Sequence, residues 1–480
     1  MSIKKNFLFN ATLSISQIIF PIITFPYVTR ILMPEGLGSV NFIDSFIQYI
    51  LMIAALGIPV YGVREIARVK NNPSKLADTY SGLLMVHSLL SIIAAIVFYV
   101  MVLNIPKLSA EYELCMVGIG MILTNVFMIN WLFGGLEKFV FISMVSISVR
   151  VLTIIGIFIW VKSPEDKVLY YGLNLVGNVI SSIVNMYIAS KYVKFSFKFI
   201  DLKKHLSPLF MLFSLSVITS VYVLLDSVIL GFLKNNVEVG YYTTAMKLSK
   251  IPISLLTALT SVLIPKLAAS TADNNSGEVS GLIDKSMNAS LIISIPIAFG
   301  MFSLAREIIL VFAGSLYLQA LSSFQVLSFI IIPISIALIS YQILLPKNKE
   351  KYLMFCSIIG MVVSLILNFV LIPALGGTGS AISSVATELI VALMLFLVSR
   401  KLVDILVPYK MIGSAIFTCL SFFVFKYIFQ NVFTNNVFII ISTALCGGIF
   451  YFGIMGFVFR VKLIRDLYAS GINKFSRLLQ

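Results

Sequence analysis

The stretch YSGLLMVHSLLSIIAAIVFYVMV, residues 80–102, contains no Asp, Glu, Lys or Arg. It exceeds the ~20 residues an α-helix needs to cross a hydrocarbon core. In lipid its backbone polar groups are satisfied only by an unbroken helix. Runs of the same kind recur on both sides of it, at residues 7–28, 40–61, 114–133, 140–161, 168–189 and 208–232. They continue at 241–264, 282–304, 324–345, 352–371, 379–398, 411–429 and 437–458. The fold class that follows is an all-α integral membrane protein of about fourteen transmembrane helices. Composition agrees: 59% of the 480 residues are apolar and 11% charged, against roughly 25% charged in soluble domains, and mean hydropathy is +1.02.

A formal charge of +15 would suit a nucleic-acid partner if the cations clustered on a soluble face. They fall instead in the short connections on one side of the membrane, including Lys4, Lys5, Arg64, Arg68, Lys203, Lys204, Lys347, Lys349, Arg460 and Arg465. The other side holds only Arg30, Lys107, Lys162, Lys167, Lys234 and Arg306. This is the positive-inside bias, and it excludes nucleic acid and places both termini in the cytoplasm. The expected location is the bacterial cytoplasmic (inner) membrane, multi-pass. The run at 7–28 lacks a small-x-small cleavage site and reads as a retained first helix.

Punctuation repeats along the chain. RILMPEGLGSV (30–40), NWLFGGLEKF (130–139) and Gly172 in the first half correspond to LGFLKNNVEVGYY (230–242), YQILLPKNKEKY (341–352) and Gly379 in the second. The spacing predicts two pseudo-symmetric six-helix lobes, 1–207 and 208–405. Residues 406–480 then supply two extra transmembrane helices and a basic cytoplasmic tail. An even number of helices per repeat keeps both copies in one orientation, and in such transporters the substrate site lies between the halves. The two extra helices read equally as a lipid-facing appendage or as a partner surface.

Polar residues inside the spans recur at helical spacing. Asn10, Ser14, Gln17 and Thr24 mark span 1; Asn174, Asn178, Ser181 and Asn185 mark span 6; Thr243, Lys247, Lys250, Ser254, Thr257 and Ser261 mark span 8. Such seams line a hydrated cavity or glue helices together. Ionisable side chains are costly at membrane depth and point to function: here Arg30, Asp44, Arg150, Asp226, Lys247, Lys250 and Glu388. Asp44 and Lys247 hold nearly equivalent places in the two repeats. They read as a gate pair, as a phosphate-binding element, or as an ion pair internal to the bundle. ALGGTGSA (374–381) has the look of a phosphate loop but lacks a preceding strand, and reads as a turn between spans. His87 and His205 have no ligand-spaced partners, so neither a metal nor a cofactor is expected.

Taken together, these segments resemble the polysaccharide transport family of the multidrug/oligosaccharidyl-lipid/polysaccharide exporter superfamily, which includes the Wzx-type O-antigen flippases. The carriers are the Arg-x-Leu-x-Pro-Glu-Gly-x-Gly stretch at 30–38, LGIPVYGVREIAR ending at Arg68, and NWLFGGLEK at 130–138. Further carriers are DSVILGFLKNNVEVGYYTTAMKL from Asp226, LIPKLA from Leu263, and NFVLIPALGGTGSAISSVATE ending at Glu388. The resemblance implies a non-enzymatic exporter that moves undecaprenyl-diphosphate-linked oligosaccharide from the cytoplasmic to the outer leaflet by alternating access. By analogy, cavity cations meet the diphosphate, and Arg30, Arg150, Lys247 and Lys250 are the matching positions; Asp44, Asp226 and Glu388 become acidic or gating residues. Asn10, Gln17, Asn174 and Asn178 become cavity-lining groups. Membrane potential, H+ or Na+ would supply the energy, and a polysaccharide polymerase and a chain-length regulator are the implied partners. The rival readings are a multidrug antiporter of the same superfamily and a membrane polymerase or ligase.

Overall fold

Pro34 decides where the first long apolar stretch breaks. Proline disfavours the α region for the residue before it, and Met33 is pushed to φ 56°, ψ 175°. Pro34 then supplies the first turn of the next helix, where its missing N–H costs nothing. Helix α1 (Ile3–Ala55) is thus two spans joined at a sharp break. The computed structural model describes residues 3–196, 209, 225–261, 276–347, 349–461 and 464–465, with the side chains of 3–15, 17, 18, 255, 258–261 and 276–279 outside that description.

All long elements among the described residues are helices. After α1 come α2 (Ile58–Val69), α3 (Pro73–Asn104), α4 (Pro106–Ser109), α5 (Tyr112–Asn125), α6 (Asn130–Gly135), α7 (Phe139–Trp160) and α8 (Lys167–Ala189). The chain continues with α9 (Asn236–Ser261), α10 (Ser276–Ser303), α11 (Ala305–Phe312), α12 (Leu321–Leu327), α13 (Ile331–Leu344), α14 (Glu350–Leu375) and α15 (Gly377–Arg400). It closes with α16 (Tyr409–Cys419), α17 (Ser421–Val432) and α18 (Asn436–Phe457). Eleven segments of the described residues are long and apolar enough to cross a membrane, the first of them, Ile19–Val69, carrying two of the expected spans. The expected span at 208–232 lies largely outside the described residues. That at 241–264 is present as α9 but does not rank among the eleven, because Lys247, Lys250 and several hydroxyls dilute it.

The chain divides into two compact units, Met1–Gly240 and Tyr241–Gln480. In the first, the side chains outward of the core are large and apolar, Ile92, Ile96, Leu103, Leu152 and Ile159 among them, an inverted surface that only lipid can solvate. The short helices α2 and α6 pack through their glycines. A Cβ on Gly62 would fall 2.7 Å from the Trp131 ring, and one on Gly135 would fall 2.6 Å from Ile66. Lys70 and Glu137 pair at 2.6 Å beside them, and that hydrogen bond holds the Glu137 carboxyl below its ordinary range.

In the second unit, α16, α17 and α18 are part of the core. Cys419, Phe422, Tyr451 and Met455 cluster with Met287, Ile292 and Ile295 of α10 and with Ile339 of α13, and the fully buried Tyr451 hydroxyl donates to the Ile292 carbonyl at 3.1 Å. Lys426 Nζ sits 3.2 Å from the Glu307 carboxylate and donates to the Ser303 carbonyl at 2.8 Å. The Glu307 side chain is only 8% exposed. Removing one partner of a buried pair strands the other charge, so Lys426→Met is expected to destabilise the protein by about 3 kcal/mol. A Lys426→Met, Glu307→Leu double variant should recover most of that loss. Thermal unfolding in detergent measures both, and equal melting of Lys426→Met and the parent would show the pair to be idle.

Candidate functional site

The four cations expected to meet a diphosphate are all exposed: Arg30 and Arg150 in the first unit, Lys247 and Lys250 in the second. The helices that carry them explain why. Arg30 lies within three turns of Pro26 and Pro34, and its guanidinium donates to the Pro26 carbonyl at 2.9 Å. Arg150 projects from the middle of α7. Lys247 and Lys250 are one turn apart on α9, so they share a face. On the same helix Ser254 donates to the Ile251 carbonyl at 2.6 Å and Thr257 to that of Ile253 at 2.9 Å. These hydroxyls are satisfied by their own helix, which leaves the two lysines as the cations of that face.

The carboxylates are set deeper. Asp44 is half-buried and accepts from the Tyr171 hydroxyl at 3.1 Å. Asp226 is 2% exposed and lies within electrostatic range of Tyr49. Asp44 thus has a phenol hydrogen-bonded to it, and Asp226 has one within electrostatic range. Two tyrosines that composition did not single out become part of the site. Asp44 and Lys247, equivalent by repeat counting, fall in different units. Glu388 is half-buried, in electrostatic range of Tyr341. Asn174 is half-buried and donates to its own helix at Tyr170, 2.9 Å; Asn178 is half-buried on the same face. The side chains of Asn10 and Gln17 lie outside the described residues.

A polar junction joins helix ends in the first unit. Glu111, at the start of α5, accepts from Ser39 at 2.6 Å and from Asn236 at 2.8 Å, and it pairs with Lys167 at 2.7 Å. Asn236 also donates to Ser39 at 2.9 Å. With 10% of its side chain exposed, Glu111 is held by charge-assisted bonds of the stronger kind. Beside it the backbones meet: a Cβ on Gly38 would stand 1.7 Å from the Asn236 carbonyl oxygen, and one on Gly240 would stand 2.1 Å from that of Pro34. Phe42, Phe46 and Phe232 form an edge-to-face trio at 5.5–5.6 Å one turn along. Neither Glu111 nor Asn236 could be found from spacing, because the groups that meet here come from four separate helices.

In the second unit α14 and α15 carry one set of buried polar groups. Asn368 donates to the Ser364 carbonyl at 2.9 Å and accepts from Ser380 at 3.4 Å, while Tyr242 and Ser384 share a hydrogen bond of 2.9 Å. No group of three or more His, Cys, Asp or Glu suited to a metal is present among the described residues.

The chain is similar to other proteins in sequence and in fold. A protein from Shigella dysenteriae carrying the name O-antigen transporter is 27% identical over 398 residues, 82% of this chain and 98% of that one. Its counterpart in Escherichia coli K12, of the same name, is 25% identical over 411 residues, 84% of this chain and 98% of that one. Among solved structures, the lipid II flippase MurJ in an inward closed conformation has a TM-score of 0.76 over 94% of this chain and 99% of that one; at 17% identity, this is a likeness of fold. The model of the family described as polysaccharide biosynthesis protein matches residues 3–271, more than half of the sequence and across all the motif segments of its first half, and the chain belongs to that family.

Proposed function

We propose that this protein carries lipid-linked oligosaccharide repeat units across the cytoplasmic membrane, from the inner to the outer leaflet, for surface polysaccharide assembly. The observation that carries the reading is the exposure of Arg30, Arg150, Lys247 and Lys250 on helices of the membrane bundle. Cations within spans are costly unless they meet water, a protein group or an anionic ligand. A prenyl diphosphate is an anion whose tail stays in lipid, and Arg and Lys are the side chains that bind phosphate oxygens. The names of the two bacterial relatives support the same cargo class.

In this mechanism the diphosphate leaves water for exposed cations of the protein, the glycan follows through a hydrated path, and the protein alternately exposes that path to the two faces. No covalent step is required, so the protein acts as a carrier and not as an enzyme. Two uncompensated negative charges moving outward across ~100 mV, negative inside, would gain about 4.6 kcal/mol. The membrane potential is therefore a sufficient source of energy, with H+ or Na+ as other couplings. A multidrug antiporter of the same superfamily would favour an acidic lining, whereas the four exposed cations bias this one the other way.

The test is transport in vesicles reconstituted with the purified protein and a fluorescent polyprenyl-diphosphate oligosaccharide. Outward movement of the labelled lipid, with no movement of a lipophilic cation such as ethidium, is the expected result. Movement of the cation alone would replace this reading by the antiporter.

A further inference from the structure

At the end of α18 the chain makes a built recess that neither the repeat nor the proposed cargo path uses. Phe459 N–H donates to the Ile454 carbonyl and Val461 N–H to that of Met455, at 3.1 and 3.0 Å, so the helix ends in a widened, hydrogen-bonded turn. Arg460 takes φ 52° at its apex, a left-handed conformation that a bulky side chain seldom adopts. Four residues on, Ile464 is 1% exposed and packs into the cluster of Met455, Ile405 and Met411. That anchor holds Arg465 in place beside the turn. Arg460 and Arg465, with Gly456 and Phe457, line a recess of about 540 Å³. Among the described residues, none of those lining it carries a carboxylate.

The surroundings say what kind of anion would fit. Phe457, Val458 and Phe459 stand 76%, 65% and 41% exposed, an apolar rim at the end of a 22-residue span. At 1.5 Å per residue α18 crosses the hydrocarbon core, so the rim lies at acyl-chain level and the two guanidiniums lie just beyond it. Charge-assisted bonds from paired arginines match a phosphodiester, and basic recesses at this depth suit anionic headgroups. A soluble anion would gain nothing from the exposed rings. The geometry points to a binding site for an anionic phospholipid headgroup at the end of α18, with phosphatidylglycerol as its representative ligand. By the positive-inside reading this is the cytoplasmic leaflet. The site ties the last helix to lipid chemistry independently of the transported cargo.

Purified protein in a neutral detergent would be titrated with dioleoyl-phosphatidylglycerol or dioleoyl-phosphatidylcholine, with bound lipid counted by native mass spectrometry. Preferential retention of phosphatidylglycerol is expected. Arg460→Gln and Arg465→Gln should each weaken it about fivefold, with phosphatidylcholine binding unchanged. Arg465→Lys, which keeps the charge, should retain the preference and guards against a variant that merely misfolds. Equal retention of the two lipids, or undiminished phosphatidylglycerol binding in the double Gln variant, would overturn the proposal. So would displacement of the lipid by inorganic phosphate at matched concentration, which would make this a site for a soluble anion. Displacement of bound phosphatidylglycerol by a polyprenyl diphosphate at matched concentration would assign the recess to the cargo and equally overturn it.

Discussion

Gly38→Ala is expected to lower the melting temperature of the purified protein more than any other single methyl insertion in the first unit. The added Cβ would lie 1.7 Å from the Asn236 carbonyl oxygen and 2.7 Å from its carbon. These are backbone atoms, which cannot turn aside as a side chain can. Relief requires the α1 and α9 backbones to separate, and with them the Ser39–Glu111–Asn236 junction. Overpacking usually costs 1–3 kcal/mol, and a contact this short lies at the upper end, about 3 kcal/mol. Gly172→Ala is the control: nothing lies within 4 Å of the methyl it would add, and replacing glycine in a helix should gain about 0.5–1 kcal/mol. Thermal denaturation in detergent, followed by the fluorescence of Trp131 and Trp160, compares the two. Indistinguishable transitions would mean that the backbones do not meet at Gly38.

The second large effect concerns transport. Removing both lysines in Lys247→Ala, Lys250→Ala should cut the rate of lipid-linked oligosaccharide movement at least about a hundredfold, since each charged hydrogen bond to phosphate contributes about 1.5–3 kcal/mol. Both residues are exposed, so the folded protein should accumulate normally, in contrast to Gly38→Ala. Lys285→Ala removes an exposed cation from α10, outside the polar seam, and should leave the rate unchanged. A double variant that transports at the parental rate would remove the diphosphate-binding role and leave the lysines as headgroup contacts.

Hydropathy made the membrane class and most helices legible, because a spanning helix must be apolar along its whole length. The stretch at 140–161 appears as Phe139–Trp160. The turn expected within ALGGTGSA lies at Gly376, between α14 and α15. The expected span at 40–61 runs through the end of α1 into α2, because hydropathy does not see the reversal at Leu56 and Gly57. The apolar run at 411–429 carries a clue of its own: Lys426 stands alone in it, and the cost of burying it calls for a partner. Glu307, only just beyond its own span, is that partner.

The site was legible as a set of residue types and not as a set of contacts. Asp44 and Asp226 stand out in any apolar helix, but Tyr171 and Tyr49 do not, since aromatic residues are ordinary in spans. The motif segments that carry the family resemblance turn out to meet in pairs within the first unit. The stretch at 30–38 meets that at 236–240 through Gly38 and Gly240, and the segment ending at Arg68 meets 130–138 through Gly62 and Gly135. Their glycines record close approach of main chain and rings, a requirement of packing that spacing alone reads as punctuation.

Repeat counting makes the last two helices look detachable, yet Lys426 and Tyr451 reach from them into the floor of the second unit. A chain ended at residue 405 would therefore not be a reduced carrier with its essential twelve spans intact. It would leave the Glu307 carboxylate bare beside hydrocarbon and uncover Met287, Ile292 and Ile295, the marks by which quality-control proteases find an unfinished membrane protein.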